Sequence, residues 1–284
     1  MSETTEPELS GVPETMLITL YLRAMETQRP DALINDDKAV ELVKRLDYDF
    51  DRVRRIPMSD ANRLPIILRN REFDRYAQDF LARHPDAVVV HIGCGLDARF
   101  ERVDNGQVEW YDLDFPHVIE LHRRLVCDER ERYHLLGCSV LDNAWLDTVR
   151  VHRLGNHPVG TRPFLFLAEG VFMYLREAQV RSLVLTLRDH FPGAELAFDC
   201  YSPPHVWVHN FQVGTLGGVA HAHWGIWHGE KLEGWGEGIR LLDEWGFFDR
   251  PEPRLAPYRW LRLIDSLFRT LRIYHFQLGE MAAL

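Results

Sequence analysis

Two glycines, a set of carboxylates and a cluster of imidazoles are the residues of this chain whose types and spacing could do chemistry. Gly93-Cys94-Gly95 follows the apolar run Val88-Val89-Val90-His91-Ile92. Glycines at 93 and 95 let the backbone take positive φ and let a ligand approach closely. Asp114 stands about 20 residues further on. At that interval a carboxylate at the tip of the next strand accepts hydrogen bonds from both hydroxyls of a ribose. The third glycine of a dinucleotide fingerprint is replaced by Ala98, which NAD sites tolerate. Asp97 stands where a pyrophosphate would rest and would repel it, so an acid there suits a cofactor with a positive charge, such as S-adenosyl-L-methionine. The alternative for Asp97 is a structural ion pair with Arg99. Asp112 competes with Asp114 for the ribose. The two share one face of a strand, and Asp114 is nearer the tip.

His91-Ile92-Gly93-Cys94-Gly95-Leu96-Asp97-Ala98-Arg99 resembles the "LGxGLDTR" signature of the leucine carboxyl methyltransferase family, which includes the tetracenomycin-type polyketide O-methyltransferases. Three further segments fit in order. Trp110-Tyr111-Asp112-Leu113-Asp114-Phe115-Pro116 is similar to the family's "(E/D)xDxP" strand. Leu167-Ala168-Glu169-Gly170-Val171-Phe172-Met173-Tyr174 is similar to its "AEGxxxY" motif. Arg69-Asn70-Arg71-Glu72-Phe73-Asp74 resembles the "RtxxxD" helix before the first strand. The resemblance runs from about Thr15 to the C-terminus.

That resemblance implies an S-adenosyl-L-methionine site. Arg69 would pair with the carboxylate of the methionine moiety and Glu169 would face its amino group. Gly93 and Gly95 would make the close backbone contact, and Asp114 would bind the ribose. Cys138-Ser139-Val140 falls where the family places its adenine contacts. There Ser139 stands where the family often has Asp, and Asp142 is offset. Ala98 replaces the usual Thr. Cys94, Asp97, Leu113 and Gly170 complete the expected cofactor contacts.

The segment from Ser202 to Trp245 is rich in Gly, His and Trp and follows the fifth strand, where inserts cover the site of an open α/β sheet. It is expected to form a substrate lid. His209, His223 and Tyr174 are the candidates to meet an acceptor, with His205 a further candidate base. A hydroxyl acceptor would use such a base, whereas a carboxylate is already ionised and would not. His221, His223 and His228 invite a metal reading, but no carboxylate or cysteine lies at the spacing of a standard site, and no metal is expected. Arg23 and Glu26 on the first helix match a recurring arginine and acid of the family, with surface pairing the alternative.

The elements that must position these groups are read from periodicity. Apolar spacing predicts helices at 14–29 and 64–83, and Asp36-Asp37 can cap a helix between them. Strands are expected at 87–92, 108–113, 133–138, 163–168, 194–200 and 272–278, alternating with helices at 97–103, 116–127, 143–150 and 176–190. Such alternation argues for a mostly parallel sheet with helices on both faces. The resemblance makes it a class I methyltransferase Rossmann-like sheet with one antiparallel strand. One domain is expected over 1–284: a helical cap (1–85), a cofactor-binding core (86–200), a lid (201–245) and C-terminal strands and helix (246–284). Residues 1 to about 13 are expected to be frayed.

A chain of 284 residues with 46% hydrophobic and 27% charged residues is ordinary for a soluble globular protein. A net charge of −10, with no basic stripe, argues against a nucleic-acid partner. Cys94, Cys127, Cys138 and Cys200 fit reduced thiols, the N-terminus is acidic, and no apolar run approaches ~18 residues. A cytoplasmic enzyme with no membrane span is expected, acting on a small-molecule, polyketide-like hydroxyl or carboxyl group. An NAD oxidoreductase, a protein carboxyl methyltransferase and a non-catalytic adenosyl-binding protein stay open, as does the oligomeric state.

Overall fold

The computed structural model describes residues 14–51, 60–150, 162–215 and 220–280. The expected frayed stretch 1–13, and Gly217 and Gly218 of the lid, lie outside them. The strands are β1 (Val88–Ile92), β2 (Glu109–Asp114), β3 (Tyr133–Gly137), β4 (Phe164–Ala168), β5 (Ala194–Tyr201), β6 (Ile239–Trp245) and β7 (Leu271–Leu278). They form one seven-stranded sheet in the order β3-β2-β1-β4-β5-β7-β6. β1 to β5 pair in parallel, and β7 runs antiparallel to both β5 and β6. The expected sheet is therefore observed, with helices Arg99–Val103, Pro116–Leu125, Ala144–Arg150 and Glu177–His190 linking its strands.

β1 and β4 are buried at every position. They lie side by side in the middle of the sheet, which is why each reads as a near-continuous apolar run. β2 is buried too, although its sequence is Glu-Trp-Tyr-Asp-Leu-Asp. Asp112 is tolerated there because donors surround it. The Trp110 indole donates to Oδ1 at 2.8 Å and the Tyr133 hydroxyl to Oδ2 at 2.5 Å. Satisfying a buried carboxylate in this way removes most of its desolvation cost. Asp112 thus faces the interior rather than the ligand cavity, which leaves Asp114 as the carboxylate at the strand tip.

Helices Glu14–Thr27, Asp37–Arg45 and Asp60–Arg83 precede the sheet. Asp36 caps the second as expected, accepting from the Ala39 N–H at 2.9 Å. The same carboxylate takes Arg23 Nε at 2.8 Å and Arg102 Nη1 at 3.1 Å, which ties the first helix to the sheet. Glu26 is also committed, accepting from Arg254 and from the Leu33 N–H.

The interval expected to be lid needs correction. β6 lies inside it, at Ile239–Trp245, so only one strand, β7, follows residue 245 among the described residues. β6 is an edge strand with an irregular register between Leu241 and Asp243. Its side chains alternate poorly between apolar and polar, which hid it from pattern reading. The early part of the interval is a helix, Pro203–Thr215, which carries His205 and His209 one turn apart. No helix among the described residues is long and apolar enough to cross a membrane.

At the far end of the sheet, Glu195 binds Arg83 through both oxygens, at 2.8 and 2.9 Å, and His275 at 2.7 Å. Burial opposes its ionisation, but the hydrogen bonds from His275 and Arg83 outweigh burial and hold the carboxyl at about 2. A depressed carboxyl stabilises the fold above its unfolded value and loses that contribution as pH falls towards the folded value. The stabilisation should be complete above about 4.5 and vanish on approach to 2. After discounting for solvent screening it amounts to about 1–2 kcal/mol. Glu195→Gln should therefore flatten the acid limb of a denaturation series over that window. An unchanged acid limb would show that the fork contributes nothing.

Candidate active site

A cavity of about 680 Å³ opens at the carboxyl ends of β1, β2, β4 and β5 and runs between the glycine turn and the Pro203–Thr215 helix. The sequence of the turn explains its shape. Gly93 and Gly95 both have positive φ, +71° and +54°. A Cβ on Gly93 would lie 2.3 Å from Val171 Cγ2, so a larger residue would have to displace Val171 and hold a strained backbone as well. The Leu113 carbonyl accepts the N–H groups of Gly93 and Cys94, at 2.7 and 3.3 Å, and pins the turn to the end of β2.

Asp114 closes this end of the cavity. Its Oδ2 accepts the Gly95 N–H at 2.9 Å and its Oδ1 the Phe115 N–H at 2.7 Å. Burial raises its pKa, and the hydrogen bonds from Gly95 and Phe115 only partly offset that. Cys138, Ser139 and Val140 line the wall beside it. Ser139 Oγ is half-committed, accepting from the Leu141 N–H at 3.2 Å.

Arg69 and Glu169 meet in the middle of the cavity wall, brought together from a helix and the end of β4. Arg69 Nε donates to Glu169 Oε1 at 2.9 Å, and its Nη1 donates to Asp199 Oδ2 at 3.0 Å. Asp199, fully buried near the end of β5, also accepts the Gly170 N–H at 2.6 Å. Burial opposes the charge on Glu169, but Arg69 and Arg99 hold its carboxyl below the ordinary range. Sequence reasoning missed Asp199. The available signal was a second acid, after Glu195, in a strand whose other residues are mostly apolar.

Asp97 follows the ion-pair alternative. It meets Arg102 Nη1 at 2.7 Å and Arg99 Nη2 at 3.0 Å, with Arg23 at 4.0 Å. Burial opposes its ionisation, but Arg102, Arg99 and Arg23 drive its pKa well down. Asp97 borders the cavity as a neutralised carboxylate, so it presents no bare charge to a pyrophosphate.

The opposite end of the cavity is walled by Tyr174, Tyr201, His209 and His221. The His209 ring centroid is 5.1 Å from that of Tyr201 and 6.2 Å from that of Tyr174. His209 Nε2 lies 3.1 Å from the Ala220 carbonyl oxygen. A carbonyl only accepts, so Nε2 is the donor of that pair. Burial raises the phenols of Tyr174 and Tyr201 above their usual value, leaving both protonated.

Two expectations for this end are corrected. His223 does not line the cavity. Its backbone N–H is bound to the Met173 carbonyl at 2.7 Å and its side chain is exposed, while His221, two residues earlier, lines the wall. His205 is likewise not on the wall and packs on the Tyr201 ring. The imidazoles of 221, 223 and 228 form no three-ligand group among the described residues. The group that does is Cys94, Asp112 and His122, buried beneath the glycine turn.

The leucine carboxyl methyltransferase family profile matches residues 16–188. The chain belongs to this family. It is a methyltransferase by that membership, and the four sequence motifs meet around one cavity. It is 39% identical over 248 residues, 86% of each chain, to the tetracenomycin polyketide synthesis O-methyltransferase TcmP of Streptomyces glaucescens. It is 33% identical over 207 residues to the S-adenosyl-L-methionine-dependent methyltransferase dpfgK of Gibberella zeae, covering 67% of this chain and 66% of that one. Among solved structures, a DUF574 family protein from Streptomyces avermitilis superposes with a TM-score of 0.59 at 12% identity, covering 93% of this chain and 97% of that one. That likeness concerns the fold.

Proposed function

We propose that this methyltransferase uses S-adenosyl-L-methionine to methylate an oxygen of a small, polyketide-like acceptor, and that the oxygen is a hydroxyl. The single observation that carries the acceptor assignment is the position of His209 on the cavity wall, with its Nε2 engaged by the Ala220 carbonyl and Nδ1 the nitrogen left to act as a base. The identity of 39% with TcmP, a polyketide synthesis O-methyltransferase, supports a polyketide-like acceptor. So does a cavity of about 680 Å³ with an aromatic far wall, within the range of ~300–1,000 Å³ for small-molecule sites.

The residues present fit the methyl donor. The glycine turn borders the cavity with both glycines in the left-handed region, where a ligand can approach the backbone closely. Asp114 keeps unused lone pairs for a ribose diol, and Ser139 and Val140 would flank the base. Arg69 spends Nε and Nη1 on carboxylates and leaves Nη2 without a bond among the described residues, so it would take a carboxylate. Glu169, with Gly170 beside it, offers negative charge to an ammonium. Arg23 and Arg69, the guanidiniums on the cavity wall, are both engaged by acids. Arg23 is held by Asp36, and the open Nη2 of Arg69 is assigned to the methionine carboxylate of the donor, so neither is left for a carboxylate acceptor.

When bound, the donor supplies a methyl group activated by a sulfonium. The protein's task is to hold the attacking oxygen in line with it, at ~3–3.5 Å, and to keep water out. Tyr174 and Tyr201 can orient the acceptor by their hydroxyls, and the helix carrying His209 serves as the substrate lid. His209 Nδ1 takes the proton from the hydroxyl as it attacks. The unbridged cysteines suit a cytoplasmic setting.

The test begins with titration calorimetry of S-adenosyl-L-methionine, S-adenosyl-L-homocysteine and NAD. Methyl transfer is then assayed on a panel of phenolic and carboxylated aromatic polyketides. Donor binding with turnover of phenols is the expected result, and turnover confined to carboxylates would overturn the hydroxyl assignment. His209→Ala should lower kcat on a phenol by roughly 10²–10⁴-fold while leaving donor affinity intact. A loss under threefold would remove His209 as the base.

A further inference from the structure

Beneath the glycine turn lies a buried cluster that the contacts above do not use. His122, on the Pro116–Leu125 helix, is fully buried. Its Nδ1 lies 2.7 Å from the Gly95 carbonyl oxygen. A carbonyl only accepts, so Nδ1 carries a hydrogen and donates it. Its Nε2 lies 2.7 Å from the Tyr133 hydroxyl oxygen, and because that hydroxyl donates its one hydrogen to Asp112 Oδ2 at 2.5 Å, Nε2 is the donor in this pair. Asp112 is held in turn by Trp110 Nε1 at 2.8 Å and by His91 Nδ1 at 3.2 Å. The ring of His122 is therefore gripped at both nitrogens, and its orientation is set by a relay that starts on β2 and β3.

Gly95 is the point of contact. Its N–H is held by Asp114 and its carbonyl by His122. A glycine in the left-handed region, at φ +54°, has little intrinsic preference for that well. Two fixed hydrogen bonds on either side of its Cα supply that preference. We propose that His122 is a positioning residue for the methyl donor: it locks the Gly95 carbonyl and thereby sets the backbone of the turn against which the donor lies. Asp112 and Tyr133 act through it. This gives Asp112, set aside as a ribose ligand, a role in the same site, and it rests on the assignment of that cavity to S-adenosyl-L-methionine.

The test uses the full chain with His122→Phe, which keeps a ring and deletes the donor. His122→Asn keeps a donor near the position of Nδ1, and Tyr133→Phe cuts the relay. Losing a hydrogen bond that preorganises the turn should weaken S-adenosyl-L-homocysteine binding in His122→Phe about tenfold. The KM for the methyl donor should rise by a similar factor. kcat at saturating donor should stay within about twofold, because no group at the reacting oxygen has changed. His122→Asn should recover most of the affinity, and Tyr133→Phe should lose affinity in the same direction by a smaller factor.

A lower melting temperature with unchanged affinity in His122→Phe would overturn the proposal, since a purely structural residue behaves that way. Failure of His122→Asn to recover affinity would overturn it as well. If His122→Phe does not fold, the ratio of affinities between Tyr133→Phe and wild type decides, and a ratio of one rejects the relay. Absence of any binding to the wild-type protein would instead reject the cofactor assignment, so the two failures are distinguishable.

Discussion

Asp114→Ala should weaken binding of S-adenosyl-L-methionine and S-adenosyl-L-homocysteine by about 10²–10⁴-fold. Two effects add. The carboxylate would lose both hydrogen bonds to a ribose diol, and charge-assisted bonds of this kind contribute about 1.5–3 kcal/mol each. The Gly95 and Phe115 N–H groups would also lose their acceptor, at 2.9 and 2.7 Å, and the turn would loosen. Asp114→Asn keeps an acceptor oxygen and should fall between wild type and alanine. The pH dependence has a definite sign. Burial raises the Asp114 pKa, so its ionised, ligand-competent form should be lost on acidification earlier than for an ordinary carboxyl. In wild type, donor affinity should then decline on acidification before an ordinary carboxyl would protonate, and not in Asp114→Asn. Titration calorimetry across pH measures both effects, and an alanine variant with wild-type affinity would remove Asp114 from the site.

Arg99→Leu should be the most destabilising single substitution considered for this chain, at about 3–5 kcal/mol. Arg99 is fully buried and reaches Asp74 at 2.7 Å, Glu169 at 2.5 Å and Asp97 at 3.0 Å, with His91 Nε2 at 3.0 Å. Replacing it with an apolar group leaves several carboxylates in the interior without their shared counter-charge. Arg102 stays with Asp74 and Asp97 and Arg69 with Glu169, so the cost is that of an excess of buried negative charge rather than of one ion pair. Arg99→Lys should recover little, because a single ammonium cannot fork among acceptors on different elements. Chemical denaturation measures the loss directly. Donor binding is a second readout, since Glu169 would swing free of one of its two arginines. A loss below 1 kcal/mol would mean that the acids are solvated or protonated instead of paired.

This network also shows why part of the site could be read from the chain and part could not. The glycine turn, the carboxylate at the tip of β2 and the acid at the end of β4 are local features. Each follows from a short stretch whose residue types already dictate a strand, a turn and a strand end. Arg69 was visible only through its motif, because an arginine on a helix carries no signal of what it faces. Asp199 was missed although it binds Arg69 at 3.0 Å from a position 130 residues away. Long-range pairing of charges depends on which strands become neighbours, and β5 reaches β1 only through β4.

The imidazoles make the same point from the other side. His209, His221 and His223 are alike by composition. The backbone of 220–228 crosses the cavity rim with Met173 holding its N–H groups, so that His221 borders the cavity and His223 is exposed outside it. His209 enters the site through the helix Pro203–Thr215, an element the glycine- and histidine-rich composition did not announce. β6 escaped notice because an edge strand with an irregular register has no clean two-residue period.

By itself the sequence determined the alternation of strands and helices, the glycine turn with its partner Asp114, and membership of a methyltransferase family. These rest on periodicity, backbone permissiveness and motif order, all of which are properties of contiguous residues. Only the tertiary structure decided how the carboxylates Asp97, Asp112 and Asp114 are partnered, which histidines border the cavity, and what grips Gly95. A buried polar group must find its partner wherever the fold puts one, and here those partners come from strands and helices far apart in the chain.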